Sequence, residues 1–174
     1  MIQLGPVKAS AHGDVVDALL DCHARIRAFI ALAARLAASP GASPGEVRDA
    51  ADGVHRYFEL ALPLHADDEE RSILPRLAGR DAAVDRELAA MRREHGEHAD
   101  AVSRLLGACE AVRADPAALP RVAEALGRAA EDLSRHFTEH LAREEQVIFP
   151  AVRAALGPAE QEAIRAEMRA RRGV

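Results

Sequence analysis

Apolar residues recur three and four apart over four long stretches of this chain, the spacing of helices that each bury one face. The first seam reads Leu19, His23, Ile26, Ile30, Ala33, and the second Val54, Phe58, Ala61, His65, Glu69, Ser72. The third gives Leu88, Met91, His95, His98, Val102, Leu105, Cys109, Val112. The fourth gives Val122, Leu126, Ala129, Leu133, His136, His140, Glu144, Val147. Breaks separate the four. The first helix runs from about Asp14 to Ala38 and stops at Ser39-Pro40-Gly41. Ser43-Pro44-Gly45-Glu46 starts the second, with Ser as N-cap, Pro in the first turn and Glu closing a capping box. That helix reaches about Ala78, with a kink predicted at Pro63. After Gly79-Arg80, Asp81 caps a third helix to about Ala114, and Asp115-Pro116 opens a fourth that ends near Leu156-Gly157-Pro158. The pattern predicts an all-α, up-down-up-down four-helix bundle over residues 14–156. An extension, residues 1–13, precedes it. A short amphipathic C-terminal helix within residues 157–174 follows, acidic at its start and basic at its end.

Composition narrows the class. Of the 174 residues only 3% are aromatic and none is Trp, which favours helix over strand. The net charge is -5 with both signs interspersed, so no clustered basic face offers itself to nucleic acid. Cys22 and Cys109 stand singly, which argues against a thiolate zinc site or a disulfide framework and suits a reducing compartment. With no signal-like apolar core and no run near the ~18 residues of a membrane span, the expectation is a cytoplasmic monomer or homodimer with no membrane partner.

The seams hold residues foreign to a dry core. Six of the eight histidines lie on them, with Glu69 and Glu144, and no Lys or Arg shares those positions. A buried carboxylate must neutralise or find a cation. A metal ion held by neutral imidazoles and ionised carboxylates meets that need. The remaining histidines, His12 and His55, fall off the seams and read as surface residues. His136, one turn before His140 where the other hairpin has Ala61, suggests a pocket role. Tyr57 reads as packing, and the two cysteines as small core residues.

An internal repeat sharpens the picture. His65-Ala-Asp-Asp-Glu69-Glu70-Arg-Ser-Ile-Leu-Pro75 aligns in register with His140-Leu-Ala-Arg-Glu144-Glu145-Gln-Val-Ile-Phe-Pro150. His and Glu four apart share one helix face. Each copy follows a helix with a seam histidine, His23 for the first and His95, His98 or both for the second. Two such hairpins about a pseudo-twofold axis assemble a two-metal cage, with Glu69 and Glu144 placed to bridge. Glu70 and Glu145 either support the ligands or lie on a solvated face.

This order of residues resembles the hemerythrin-like HHE cation-binding family over roughly residues 14–156. The resemblance implies a non-haem di-iron centre, oxo- or hydroxo-bridged, with Zn or Mn as alternatives. It also implies a ligand set of His23, His65, Glu69, His95, His98, His140 and Glu144. Its expected partner is a small diatomic or peroxide molecule, bound or sensed, or the role is iron handling. Turnover of peroxide or nitric oxide is the alternative, and a metal-free or zinc-bound interaction module that docks through the tail helix is a third. Two departures set the chain apart from the oxygen carriers: His95 and His98 are three apart rather than four, and the last carboxylate is Glu144 at four residues rather than an Asp at five. There is no Glu-x-x-His pair, as a ferritin-like site would need.

Overall fold

The computed structural model describes residue 2 and residues 13–173, and every regular element among them is helical. The starts follow local chemistry. Helix α1 (Val15–Ala37) opens with a reciprocal box: the Asp17 N–H donates to the Asp14 carboxylate, and the Asp14 N–H donates to Asp17. Ser43 and Glu46 cap α2 (Pro44–Arg56) in the same way. Asp81 accepts from the N–H groups of Ala83 and Val84 at the head of α5 (Ala82–Glu97). Asp115 caps a 3-10 turn, Pro116–Ala118, that feeds α7 (Leu119–Arg143).

The second and fourth stretches are less regular than their periodicity predicts. Each is broken by π turns: Tyr57–Ala61, Glu69–Ile73 and Glu144–Ile148. Each turn leads into a helical piece with Pro at its second position. These are α3 (Leu62–Asp68), α4 (Leu74–Leu77) and α8 (Phe149–Ala155). The N–H groups of Leu62, Leu74 and Phe149 reach back five residues, to the carbonyls of Tyr57, Glu69 and Glu144. A proline ring clashes with the carbonyl four residues earlier and offers no N–H, and one wider turn lets the helix run on past it. Where the sequence predicts a kink at Pro63 the structure has this wider turn, and Pro75 and Pro150 follow the same turn. In both motif copies the π turn begins at the glutamate.

The third stretch is interrupted once, at His98, between α5 and α6 (Ala99–Ala114). His98 keeps helical angles, and 3.0 Å bonds from its N–H to Glu94 and from Val102 N–H to its carbonyl carry the rod through.

Helix α1 packs on α2 and α7, and α6 packs on the same two, so the long segments form a closed ring of neighbours. Two apolar clusters fill it. One contains Ile26, Phe58, Leu105, Leu133 and Phe137; the other contains Leu19, Ile73, Met91, Ile148 and Phe149. On the first three rods the polar seam residues lie between the two in chain order, as His23 does between Leu19 and Ile26, and on the fourth Glu144 does. The last helix, α9 (Pro158–Arg171), lies against α1 and α3 and buries Ile164 and Met168. Its apolar side is therefore covered by its own chain, which removes the exposed face that a docking role would use. No helix among the described residues is long and apolar enough to cross a membrane.

Two seam assignments are corrected. On α7 the inward residue is Phe137, and His136 is exposed. A 3.6-residue repeat drifts against a fixed three-and-four count along a helix of this length. His55 is buried rather than on the surface. Its two ring nitrogens face Glu59 at 3.2 Å and Glu110 at 3.4 Å, and those carboxylates satisfy what burial would otherwise leave unpaired. His12 lies outside the described residues.

Candidate metal centre

Six of the seven candidate ligands converge where the two apolar clusters meet. His23 comes from α1, His65 from α3, His95 from α5 and His140 from α7, while Glu69 and Glu144 each open a π turn. They form two groups, His23 with His65, Glu69 and Glu144, and His95 with His140, Glu69 and Glu144. Within each group the candidate ligand atoms all lie within 4.8 Å of one another. The two glutamates belong to both. His98 belongs to neither; its ring packs on Phe137 at 4.3 Å, His140 at 4.9 Å and His136 at 5.8 Å.

The contacts within the centre have metal-ligand spacing. His23 Nε2 is 3.2 Å from Glu144 Oε2, and His140 Nε2 is 3.1 Å from Glu144 Oε1. His65 Nε2 is 3.5 Å from Glu69 Oε1, and His95 Nε2 is 3.3 Å from Glu69 Oε2. Two ligands about 2.1 Å from a shared ion are roughly 3.0–3.4 Å apart in octahedral or tetrahedral arrangement. Each carboxylate presents one oxygen to each group. None of these approaches is a hydrogen bond. Nine buried atoms are left without a partner: Nε2 of all four histidines, Nδ1 of His65, and all four carboxylate oxygens of Glu69 and Glu144. Buried polar atoms are almost always satisfied, so nine orphaned nitrogen and oxygen donors in one place fit the donor set of a metal site.

A second layer fixes the rings. His23 Nδ1 donates to Glu145 at 2.8 Å, His95 Nδ1 to Glu70 at 2.9 Å and His140 Nδ1 to Glu94 at 2.9 Å. A carboxylate only accepts, so it holds the proton on Nδ1 and turns the Nε2 lone pair toward the centre. The support crosses between hairpins: Glu70 of the first motif holds a histidine of the second hairpin, and Glu145 of the second motif holds one of the first. Arg27 lies 2.9 Å from Glu145, and Arg143 bonds Glu94. His65 breaks the symmetry. The residue before His95 is Glu94, which holds His140; the residue before His23 is Cys22, and His65 has no carboxylate holder. Burial pushes the Cys22 thiol up, so it stays protonated.

The electrostatics of the centre are uneven. Burial opposes charge on His23, but Glu144 and Glu69 outweigh it and raise the ring to about 10. Burial likewise opposes charge on His95, and Glu69 wins, raising it to about 9. Burial and the surrounding imidazoles lower His65 to about 4, against the pull of Glu69. Burial, then His140 and His95, lower His98 to about 3. Burial and the charge of Glu69 raise Glu144 to about 7, whereas Glu69, despite its burial, is held well below the usual range by His65, His23 and His95.

A further cluster braces the first motif. Asp68, fully buried, bonds Arg171 and Arg172 from the end of α9, each at 2.6 Å. Arg171 also bonds Ser72 Oγ, which donates to Glu167. Sequence reasoning raised Glu70 and Glu145 as supports but did not single out Glu94 as a holder or Asp68 as a buried anion. The Glu94-His95 adjacency was a visible signal for the first. The acidic run ahead of Glu69 and the basic chain end were visible for the second, though nothing local pairs them.

The family model for the hemerythrin HHE cation-binding domain matches residues 14–152, most of the chain and all six converging residues. No curated protein matches the chain.

Proposed function

The chain belongs to the hemerythrin HHE cation-binding family, and we propose that it is a non-haem di-iron protein that binds or senses O2, NO or a peroxide, or handles iron. The observation that carries this reading is the convergence of nine unpartnered buried donor atoms into two groups that share both glutamates. His23, His65, His95 and His140 would supply the imidazoles that hold the ions, and Glu69 and Glu144 the carboxylates common to both groups. His98, set beside His140, serves the approach to the site rather than the ions. Imidazole and carboxylate suit iron, with Mn and Zn accepted by the same donors. Bound iron supplies redox chemistry and an open coordination position. The residues supply the rest: Glu70, Glu94 and Glu145 orient the rings and hold their Nδ1 protons, and the two apolar clusters keep bulk water away.

The same reading takes residues 14–156 as an up-down-up-down bundle, with residues 1–13 an extension and residues 157–174 a covering helix. It places the protein in the cytoplasm as a monomer or homodimer. The burial of Ile164 and Met168 favours it over a module docking through the tail. Anaerobic, iron-loaded protein titrated with NO, O2 and hydrogen peroxide tests the function. A new visible or near-ultraviolet band saturating near one ligand per chain is expected for at least one of them. Iron-loaded protein whose absorption none of the three alters contradicts the reading.

A further inference from the structure

One buried titratable group near the centre is left unused by the reading above. His98 is 6% exposed. Its ring nitrogens have no hydrogen-bond partner among the described residues, and they are not among the nine sealed atoms of the centre. The ring packs on Phe137, His140 and His136. It has no carboxylate holder of the kind that Glu145, Glu70 and Glu94 provide for His23, His95 and His140.

Its place is close to the centre without joining it. The His98 ring centroid lies 4.9 Å from that of His140, and the converging ring of His95 lies 5.0 Å from it. Yet His98 offers no atom to either group of candidate ligands. It lines instead a cavity of about 600 Å³ between α3, α6 and α7, which also meets His65, His95 and His140. An imidazole carries at least one N–H in either protonation state, and a buried donor with nothing to bond is costly. With no partner in the protein, the acceptor has to come through the cavity. Chemistry narrows what that acceptor is. Cations held at the inner end attract negative charge, and an N–H donates most strongly to a charged acceptor.

We propose that His98 donates a hydrogen bond to a small anionic ligand, such as azide or the anion of a peroxide, held on the ion between His95 and His140. It thereby favours ligands that accept a hydrogen bond over NO, a weak acceptor. The inference deepens the small-ligand reading and rests on it for the ion. His98 touches the ligand in this role and does not hold the metal.

The experiment titrates iron-loaded protein with azide in the ferric form and with NO in the ferrous form, followed by absorption. Azide is expected to bind His98→Leu at least ~10-fold more weakly than the parent, the effect of losing one hydrogen bond to a charged acceptor. NO is expected to bind the two with less than ~3-fold difference. His98→Gln keeps an N–H donor and is expected to recover most of the azide affinity. Both variants are expected to keep the parent's helix content and iron stoichiometry. The antisymmetric stretch of azide bound to the parent is expected to shift on exchange into D2O, a readout that needs no variant. Absence of that shift overturns the proposal, as does unchanged azide affinity in iron-loaded His98→Leu. An equal loss for NO overturns it too, by marking a change in access or packing. Loss of an ion from His98→Leu would make His98 a metal ligand and overturn it as well. A parent that takes up no iron removes the di-iron reading together with this inference, whereas a parent that loads iron and fails the azide comparison removes this inference alone.

Discussion

Glu69→Ala is expected to reduce bound metal from about two ions per chain to less than one, while the helices remain. Glu69 offers one oxygen to each group of candidate ligands, so its loss opens both positions at once. Glu145→Gln is the graded comparison, because Glu145 touches the centre only through His23 Nδ1. Loss of such a holder costs about 10–100-fold in metal affinity, with the stoichiometry kept at saturating metal. Melting with and without metal reads the same effect. An ion that binds only the folded state at 100 times its Kd adds about 2.7 kcal/mol, a gain the parent shows and Glu69→Ala loses. Full metal loading in Glu69→Ala, with the parent's absorption, would contradict the assignment of this residue.

The second large effect is expected far from the centre in sequence. Replacing both Arg171 and Arg172 by Ala leaves Asp68 buried with no cation. Breaking a buried ion pair from one side costs about 3–5 kcal/mol, and for a chain of this size each kcal/mol lowers Tm by roughly 2–4 °C. The double variant should therefore melt roughly 6–20 °C below the parent. Adding Asp68→Asn should recover most of the loss, since a neutral amide needs no counterion. Because Asp68 immediately precedes Glu69, metal affinity should fall with the brace, by the ~10–100-fold typical of supporting residues. A melting temperature that does not move in the double variant would show that the arginines contribute nothing there.

What could be read from the chain alone follows the range of the interactions. The Ser43–Glu46 box closes within three residues, so sequence order suffices to find it; the Asp14–Asp17 box is equally local, but Asp stands where the capping-box pattern looks for Glu or Gln. The two His-x-x-x-Glu copies are equally local, and their repetition at Pro75 and Pro150 sets them apart from chance. The π turns were half visible. The prolines could be seen, but a periodicity count assumes 3.6 residues per turn everywhere, and each wide turn shifts the faces beyond it. Drift along α7 likewise put His136 on the seam where Phe137 belongs. The pairings that hold the rings are out of reach of such counting, because His23 and Glu145 are 122 residues apart. His55 failed for a related reason: it leaves the apolar seam, yet Glu110 from a distant helix allows it to be buried. The brace between Asp68 and the chain end joins two charged runs that each look like solvated surface.

The central claim is that one chain holds two metal ions between shared carboxylates. Its most direct test is anaerobic titration of metal-free protein with ferrous ion, followed by calorimetry and checked by elemental analysis of the separated complex. Saturation at two ions per chain, with protons released as His23 and His95 exchange theirs for metal, is the predicted result. Saturation at one ion, or no uptake at all, would contradict it.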